Sequence, residues 1–426
     1  MGGVSENFHG VMNQKPKYIL VAGIGKSNFI GQLYLSIHKK YPKKFDIDIL
    51  GLRLFSNLEK GKYAECFTNQ FKIRKSIEIK DLINIFNFKL YLHLFRFIRF
   101  GASANYLYSF FKEFVVYATM SKKILKNNYD IIHFHFPTKE KLALFWHIGR
   151  NQKYVVSFWG SDLMRVNGVF NYYIQKKVLR DAYKITTHSL ELKDQILTKF
   201  GRDLRDKIFL TKFPPEEKLY RILDEYSPKI DLIRIRFLQE FNFPLTKNLI
   251  VIGHNGFREN NHIQILKQLS NIPLEIKEKC YFILPFSYKN AKDNLYEKEC
   301  LQELSRSDFS GKILDTFLSW EELALLKLCT KVYIHLPVSD ALSGSLTEAM
   351  YAGSEVITGK WLPYSPFEDA GLSYYSINDF SELPQIFELA ISKNPDQNSA
   401  LANKEKIRDY FFPDFCAKTW FSVLEN

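Results

Sequence analysis

KVYIHLPVSDALSGSLTEAMYAGSEVIT, residues Lys331–Thr358, holds the pattern that decides the fold. Lys331–Leu336 is a short β-branched and aromatic run and reads as a strand. Pro337 and a small-residue loop break it. Ser343–Gly353 then reads as a helix, and Glu355–Thr358 as a second strand. A strand, a crossover helix and a second strand make a βαβ unit, so the two strands lie parallel.

The same alternation spreads outward. Towards the N-terminus, apolar runs recur at Cys280–Pro285, Asn248–Gly253, Lys207–Lys212, Ala182–Ser189, Tyr154–Asp162, Tyr129–Pro137, Phe45–Leu52 and Tyr18–Gly23. Gly23, Gly25 and Gly31 surround a turn into a helical stretch, Phe29–His38. The predicted class is α/β, with doubly wound parallel sheets. Asp81–Asn127 is helical in pattern and rich in aromatic and basic side chains. A charged, Pro-punctuated stretch from Pro214 to Lys247, with one helical segment, interrupts the series. A chain of 426 residues suits two domains. The expected division is a flexible tail at 1–16, a Rossmann-like domain at 17–215, a linker at 216–247, a second Rossmann-like domain at 248–400, and a helical segment at 401–426 that packs back on the first domain.

Hydrophobic residues make up 46% and charged residues 25%, which excludes a disordered chain. Lys and Arg number 59 against 46 Asp and Glu, a net charge of +13. Such a balance suits nucleotide phosphates or an anionic membrane surface; a simple lysine bias is the plain alternative. Nucleic-acid motifs are absent, so no nucleic-acid partner is expected. The five cysteines are odd in number and lack metal-ligand spacing, which fits a reducing cytoplasm. The first residues lack an apolar signal core, and no run of about 18 apolar residues occurs. There is no P-loop lysine, no nucleophile elbow and no complete dinucleotide fingerprint. No cofactor and no metal are expected.

Polar clusters close the strands in both halves, where open α/β sheets bind ligands. The richest is Ser339–Gly353. Backbone N–H groups and hydroxyls of Ser343, Gly344 and Ser345 stand at a helix N-terminus, where phosphate is favoured. Glu348 lies one turn further and Asp340 precedes the loop; the segment either holds a nucleotide, with Glu348 within reach of ribose hydroxyls, or is an ordinary Ser-capped helix with a solvated Glu. Gly253, His254, Asn255, Gly256 and Arg258 form a second loop, where glycines let the backbone approach a diphosphate and Arg258 either forks onto it or is an ordinary solvated loop arginine. Gly25, Trp159, Gly160 and Ser161 stand at or near strand ends of the N-terminal half. Asp162 accepts a sugar hydroxyl or caps the next helix. His133 and His135 share one face of a strand; either one of them, His133, serves catalysis, or both are structural.

Asp340 and Glu348-Ala-Met-Tyr-Ala-Gly353 resemble the paired-carboxylate motif of the family 4 GT-B glycosyltransferases, with two acidic residues eight positions apart. Asp340 stands here in place of that family's first glutamate. Phe158-Trp-Gly-Ser-Asp-Leu163, Phe213-Pro214 and Gly253–Ile263 are similar to the 4-acetamido-4,6-dideoxygalactosyltransferases that act on lipid-linked sugars. This second likeness runs from about Tyr129 to Phe367. The family's usual basic pair is not matched cleanly.

The resemblance implies the GT-B fold, two Rossmann-like domains facing a central cleft. The C-terminal domain would hold a nucleoside-diphosphate sugar, UDP-, dTDP- or GDP-linked, and the N-terminal domain a saccharide or lipid-linked saccharide acceptor. Glu348 would bind the ribose and Asp340 would lie near sugar and diphosphate. It further implies hexosyl transfer without a metal in bacterial surface polysaccharide synthesis; the family 4 likeness implies retention, and the second likeness leaves the stereochemistry open. By its own residues, Lys89–Phe100 is either a core helix with one wet face or a basic, aromatic membrane-contact helix; on the second reading the location is cytoplasmic, peripheral on the inner face of the plasma membrane. A GT-B nucleotide-sugar epimerase and a catalytically silent saccharide-binding subunit are the alternatives.

Overall fold

The computed structural model describes residues 15–24, 29–51, 63, 65–289, 293–393 and 397–425. Thirteen strands are present among them: β1 Lys17–Ile24, β2 Phe45–Gly51, β3 Asn69–Lys72, β4 Ile131–His135, β5 Tyr154–Ser157, β6 Lys184–Thr187, β7 Ile208–Leu210, β8 Asn248–Ile252, β9 Cys280–Pro285, β10 Gly311–Leu314, β11 Thr330–His335, β12 Glu355–Gly359 and β13 Tyr375–Ile377. They form two sheets, ordered β3-β2-β1-β4-β5-β6-β7 and β10-β9-β8-β11-β12-β13. The pairs from β3 to β5 and throughout the second sheet are parallel. The second order is the doubly wound 3-2-1-4-5-6, with its reversal between β8 and β11.

Contacts divide the chain into two compact units, one of residues 1–157, 168–185 and 420–426, the other of 158–167 and 186–419. In the second unit the strands bury both faces. Leu249, Val251 and Tyr333 enter one core, while Ile250, Ile252, Val332 and Ile334 enter the other. Period-two alternation in unbroken apolar runs explains this.

Two stretches differ from the expectation. Residues 216–247, expected as a linker with one helical segment, contain two helices, Glu217–Tyr226 and Ile230–Glu240. Their Leu219, Tyr220, Leu223, Phe237 and Leu238 are buried in the core of the second unit. Lys218, Arg221, Glu225, Asp231, Arg236 and Glu240, whose charges suggested a linker, are exposed, while Asp224 pairs with Lys404 and Arg408. The span Asp81–Asn127 is helical, as its pattern implies, but broken into separate helices. A 3-10 helix, Ile79–Phe86, ends at Asn87, whose extended backbone starts Phe88–Arg99 and whose side chain accepts from Lys89 N–H. Ser103 caps a third helix, Ala104–Ile124, by accepting from Tyr106 N–H. All five cysteines are buried and free. Among the described residues, no helix is long and apolar enough to cross a membrane.

Candidate functional site

In the second sheet, the C-terminal ends of β8 and β11 flank the reversal of strand order. The chain leaves β8 through Gly253 and His254 and leaves β11 through His335 towards Asp340. A cavity of about 250 Å³ opens here, lined by His254, Asn255, Ser339, Asp340, Trp159, Ser161 and Arg165, among others. All of these residues belong to the second unit. Its volume is below the ~300–1,000 Å³ of a whole small-molecule site, so it suits one part of a ligand.

Asp340 is the most constrained group. Tyr364 Oη–H donates to its Oδ2 (2.7 Å), His335 Nε2 stands 3.1 Å from the same oxygen, and the Ala341 N–H donates to Oδ1 (2.8 Å). Burial pushes the carboxyl up, but the His335 contact and charge, then the Tyr364 bond, outweigh it and hold it down at about 2. Asp340 is therefore an oriented anion.

Glu348 lies on the helix Gly344–Tyr351. Lys327 stands 3.3 Å from its Oε2 and is itself buried. The Lys327 ammonium also donates to Ser345 O (3.0 Å) and Oγ (2.8 Å) and lies over the Tyr333 ring. Burial raises the Glu348 carboxyl and lowers the Lys327 ammonium, and each opposes the other's shift. The Ser345 hydroxyl accepts from both Lys327 and Tyr333 (2.8 Å), so it faces the interior. Ser343 makes no side-chain cap bond. The first N–H groups of this helix, from Gly344, are the groups available to an anion.

The remaining predicted residues fall in different places. Gly160 carries φ +108°, and a Cβ there would lie 2.4 Å from the Ala341 Cβ; only glycine lets this turn meet the Asp340 loop. Trp159 and Ser161 line the cavity. Asp162 is buried and accepts from Trp159 N–H (2.9 Å), closing its own turn. Gly253 carries φ +70°, and a Cβ would lie 2.8 Å from His262 Nε2. His254 is exposed, with its ring 5.2 Å from that of His335, and Asn255 Nδ2 donates to its Nε2 (2.6 Å). Asn255 Oδ1 accepts from Phe257 N–H and Asn260 Nδ2, which shapes the loop; Gly256 N–H donates to Tyr288 O.

Arg258 is not turned to the cavity. Its guanidinium forks onto Asp293 (2.6 and 3.0 Å) and Glu299 (2.7 and 3.2 Å) and stacks over Tyr296. These two carboxylates compensate its charge, so binding a diphosphate would require giving them up. His133 is fully buried within the first unit, with Nδ1 2.6 Å from Tyr34 Oη and Nε2 2.6 Å from Ser157 Oγ. Burial lowers it to about 3, so the imidazole is neutral. Gly25 lies outside the described residues.

Sequence reasoning missed Lys327, His335, Tyr364 and Arg165. Arg165 lines the cavity and donates to Ser339 Oγ (3.0 Å) and O (2.8 Å), with Glu259 at 3.7 Å. His335 was visible as the polar end of KVYIH; the other three gave no local signal. Among the described residues, no group of three or more His, Cys, Asp or Glu side chains could hold a metal ion.

Residues 71–189 match the family described as Glycosyl transferase 4-like. No match is found among curated protein sequences. Solved structures align over nearly the whole chain. A glycosyltransferase from Rickettsia africae is 12% identical with a TM-score of 0.69, covering 96% of this chain and 97% of its own. HepE of Anabaena, in complex with UDP and glucose, is 13% identical with a TM-score of 0.66, covering 96% and 99%. WaaG, a glycosyltransferase involved in lipopolysaccharide biosynthesis, is 11% identical with a TM-score of 0.61, covering 94% and 98%. The fold is GT-B, with two parallel-sheet Rossmann-like domains.

Proposed function

We propose that this chain is a glycosyltransferase of hexosyltransferase type. It moves a sugar from a nucleoside-diphosphate donor to a saccharide or lipid-linked saccharide in bacterial surface polysaccharide synthesis. The observation that carries the reading is the placement of Asp340 and Glu348 around one helix N-terminus beside the strand-order reversal of the second sheet. HepE has been solved with UDP and with UDP-glucose, which supports a nucleotide-sugar donor.

Glu348, held 3.3 Å from the Lys327 ammonium, accepts ribose hydroxyls. The helix N-terminus at Gly344 and the Arg165 guanidinium stabilise the leaving diphosphate. Asp340, oriented by Tyr364 and His335, holds the donor ring and stabilises its growing positive character. Transfer proceeds with retention and without a metal, because these groups supply the positive field. Trp159 and Ser161 meet the acceptor. The enzyme works at the inner face of the plasma membrane.

Incubation with UDP-, dTDP- and GDP-sugars and saccharide acceptors, in the presence of a chelator, tests the reading. Acceptor-dependent release of a free nucleoside diphosphate is expected. An epimerised donor without release, or no turnover of any donor, would overturn it.

A further inference from the structure

Residues Ile79–Phe86 form a helix turned inside out. At three residues per turn, Asp81 and Asn84 share one face, and that face is buried. Ile79, Leu82, Ile83 and Phe86 occupy the other two faces and are exposed, Ile79 at 88% and Phe86 at 87%. Hydrogen bonds fix this orientation. Arg74 Nη2 donates to Asp81 (2.8 Å), and Asn84 Nδ2 donates to Thr119 Oγ1 (2.7 Å) and Val115 O (3.3 Å). Turning the segment over would strip buried polar groups of their partners.

The next helix, Phe88–Arg99, continues the pattern. Leu90, His93 and Phe97 form a narrow inner stripe. Phe88, Tyr91, Leu92, Phe95 and Ile98 form a second stripe at helical spacing, and it faces solvent. Single exposed apolar side chains are ordinary on a protein surface; a continuous face of nine marks an interaction site.

Charge selects the occupant. Residues 72–126 contain eleven Lys and Arg against three Asp and Glu, so most of the chain's +13 lies in this segment. The acidic three are internally paired: Glu78 with Arg74 and Lys80, Asp81 with Arg74, and Glu113 with Lys139. Lys89 and Arg99 bound the second apolar stripe. A second copy of the chain would bring a like-charged face. A bilayer with anionic headgroups satisfies both the apolar and the basic side chains.

We propose that residues 79–100 dock on an anionic lipid bilayer. Ile79, Ile83, Phe86, Phe88 and Phe95 enter the boundary between headgroups and acyl chains, and the surrounding Lys and Arg meet lipid phosphates. The proposal rests on the reading of a membrane-borne acceptor and names the surface that holds the enzyme there; it enlarges the basic helix seen in the sequence by the inverted segment before it.

The test is flotation of the full chain with phosphatidylcholine vesicles, with and without phosphatidylglycerol. The wild type floats with phosphatidylglycerol vesicles at low salt and is released by high salt. The Ile83→Ser/Phe86→Ser double variant, altered only at exposed positions, keeps the wild-type melting temperature and loses about tenfold or more of the bound fraction. Lys89→Gln/Arg99→Gln weakens binding as salt does. Absence of wild-type flotation, or wild-type flotation of the Ile83→Ser/Phe86→Ser variant, overturns the proposal. So does a dimer in ultracentrifugation that this variant disperses. UDP-binding calorimetry on the same proteins keeps the two readings apart: flotation can fail while nucleotide binding persists, and nucleotide binding can fail while flotation persists.

Discussion

Asp340 and Glu348 stand eight residues apart, and their carboxyls are shifted in opposite directions. The contacts from His335 and Tyr364 defeat burial at Asp340 and hold it at about 2, whereas burial wins at Glu348 and raises it despite Lys327. The Asp340 value lies below that of an unfolded carboxylate, so its contribution to stability, about 2 kcal/mol, is present above pH ~4 and is lost as pH falls towards 2. Asp340→Asn should therefore lower the melting temperature at pH 7, and the gap from wild type should close on acidification between those values. The same variant should lower turnover on the order of 10²-fold, with a smaller effect on donor affinity. Glu348→Ala should do the reverse. It removes contacts made equally in ground and transition states, so donor binding weakens by about 1.5–3 kcal/mol while turnover at saturating donor holds. Steady-state kinetics with donor calorimetry separates the two. The carboxylates and the glycines were legible because a motif carries them. Lys327 was not: in WEELALLKLC it reads as a solvent lysine, and only Tyr333 and Ser345, brought in by the next strand and helix, bury it. The fate of Arg258 was equally hidden, since its partners are 35 and 41 residues away.

Among the elements, the central strands were legible because both faces are apolar, as in NLIVI and CYFILP. The strands β3 (NQFK), β10 (GKIL) and β13 (YSI) were not, because they are short edge strands with partly exposed side chains. The helix Glu217–Tyr226 was hidden by its charges, although Leu219, Tyr220 and Leu223 fall at helical spacing. Leu219→Ala tests its standing as core. Loss of about 2–5 kcal/mol in urea unfolding is expected, against the half kcal/mol or less of a surface linker. For the helices of 79–99 the composition was legible and the direction was not. A stripe of apolar residues reads as a core face until hydrogen bonds such as that of Arg74 with Asp81 show which side is held inward.

At the scale of the molecule, sequence identities of 11–13% coexist with alignment over more than nine-tenths of the chain. What such distant chains share is the fold, not the side chains that fill it. The reversal between β8 and β11 sets the Asp340 loop and the Gly253 loop side by side, whatever residues fill them. On the proposed function, this place binds a nucleoside diphosphate through Glu348 and a helix N-terminus. Titration calorimetry of the full chain with UDP, dTDP and GDP in the presence of a chelator measures it most directly. Saturable binding of one of the three by the wild type is expected, and binding about tenfold or more weaker in Glu348→Ala. No heat from any of the three, or equal affinity in Glu348→Ala, would contradict it.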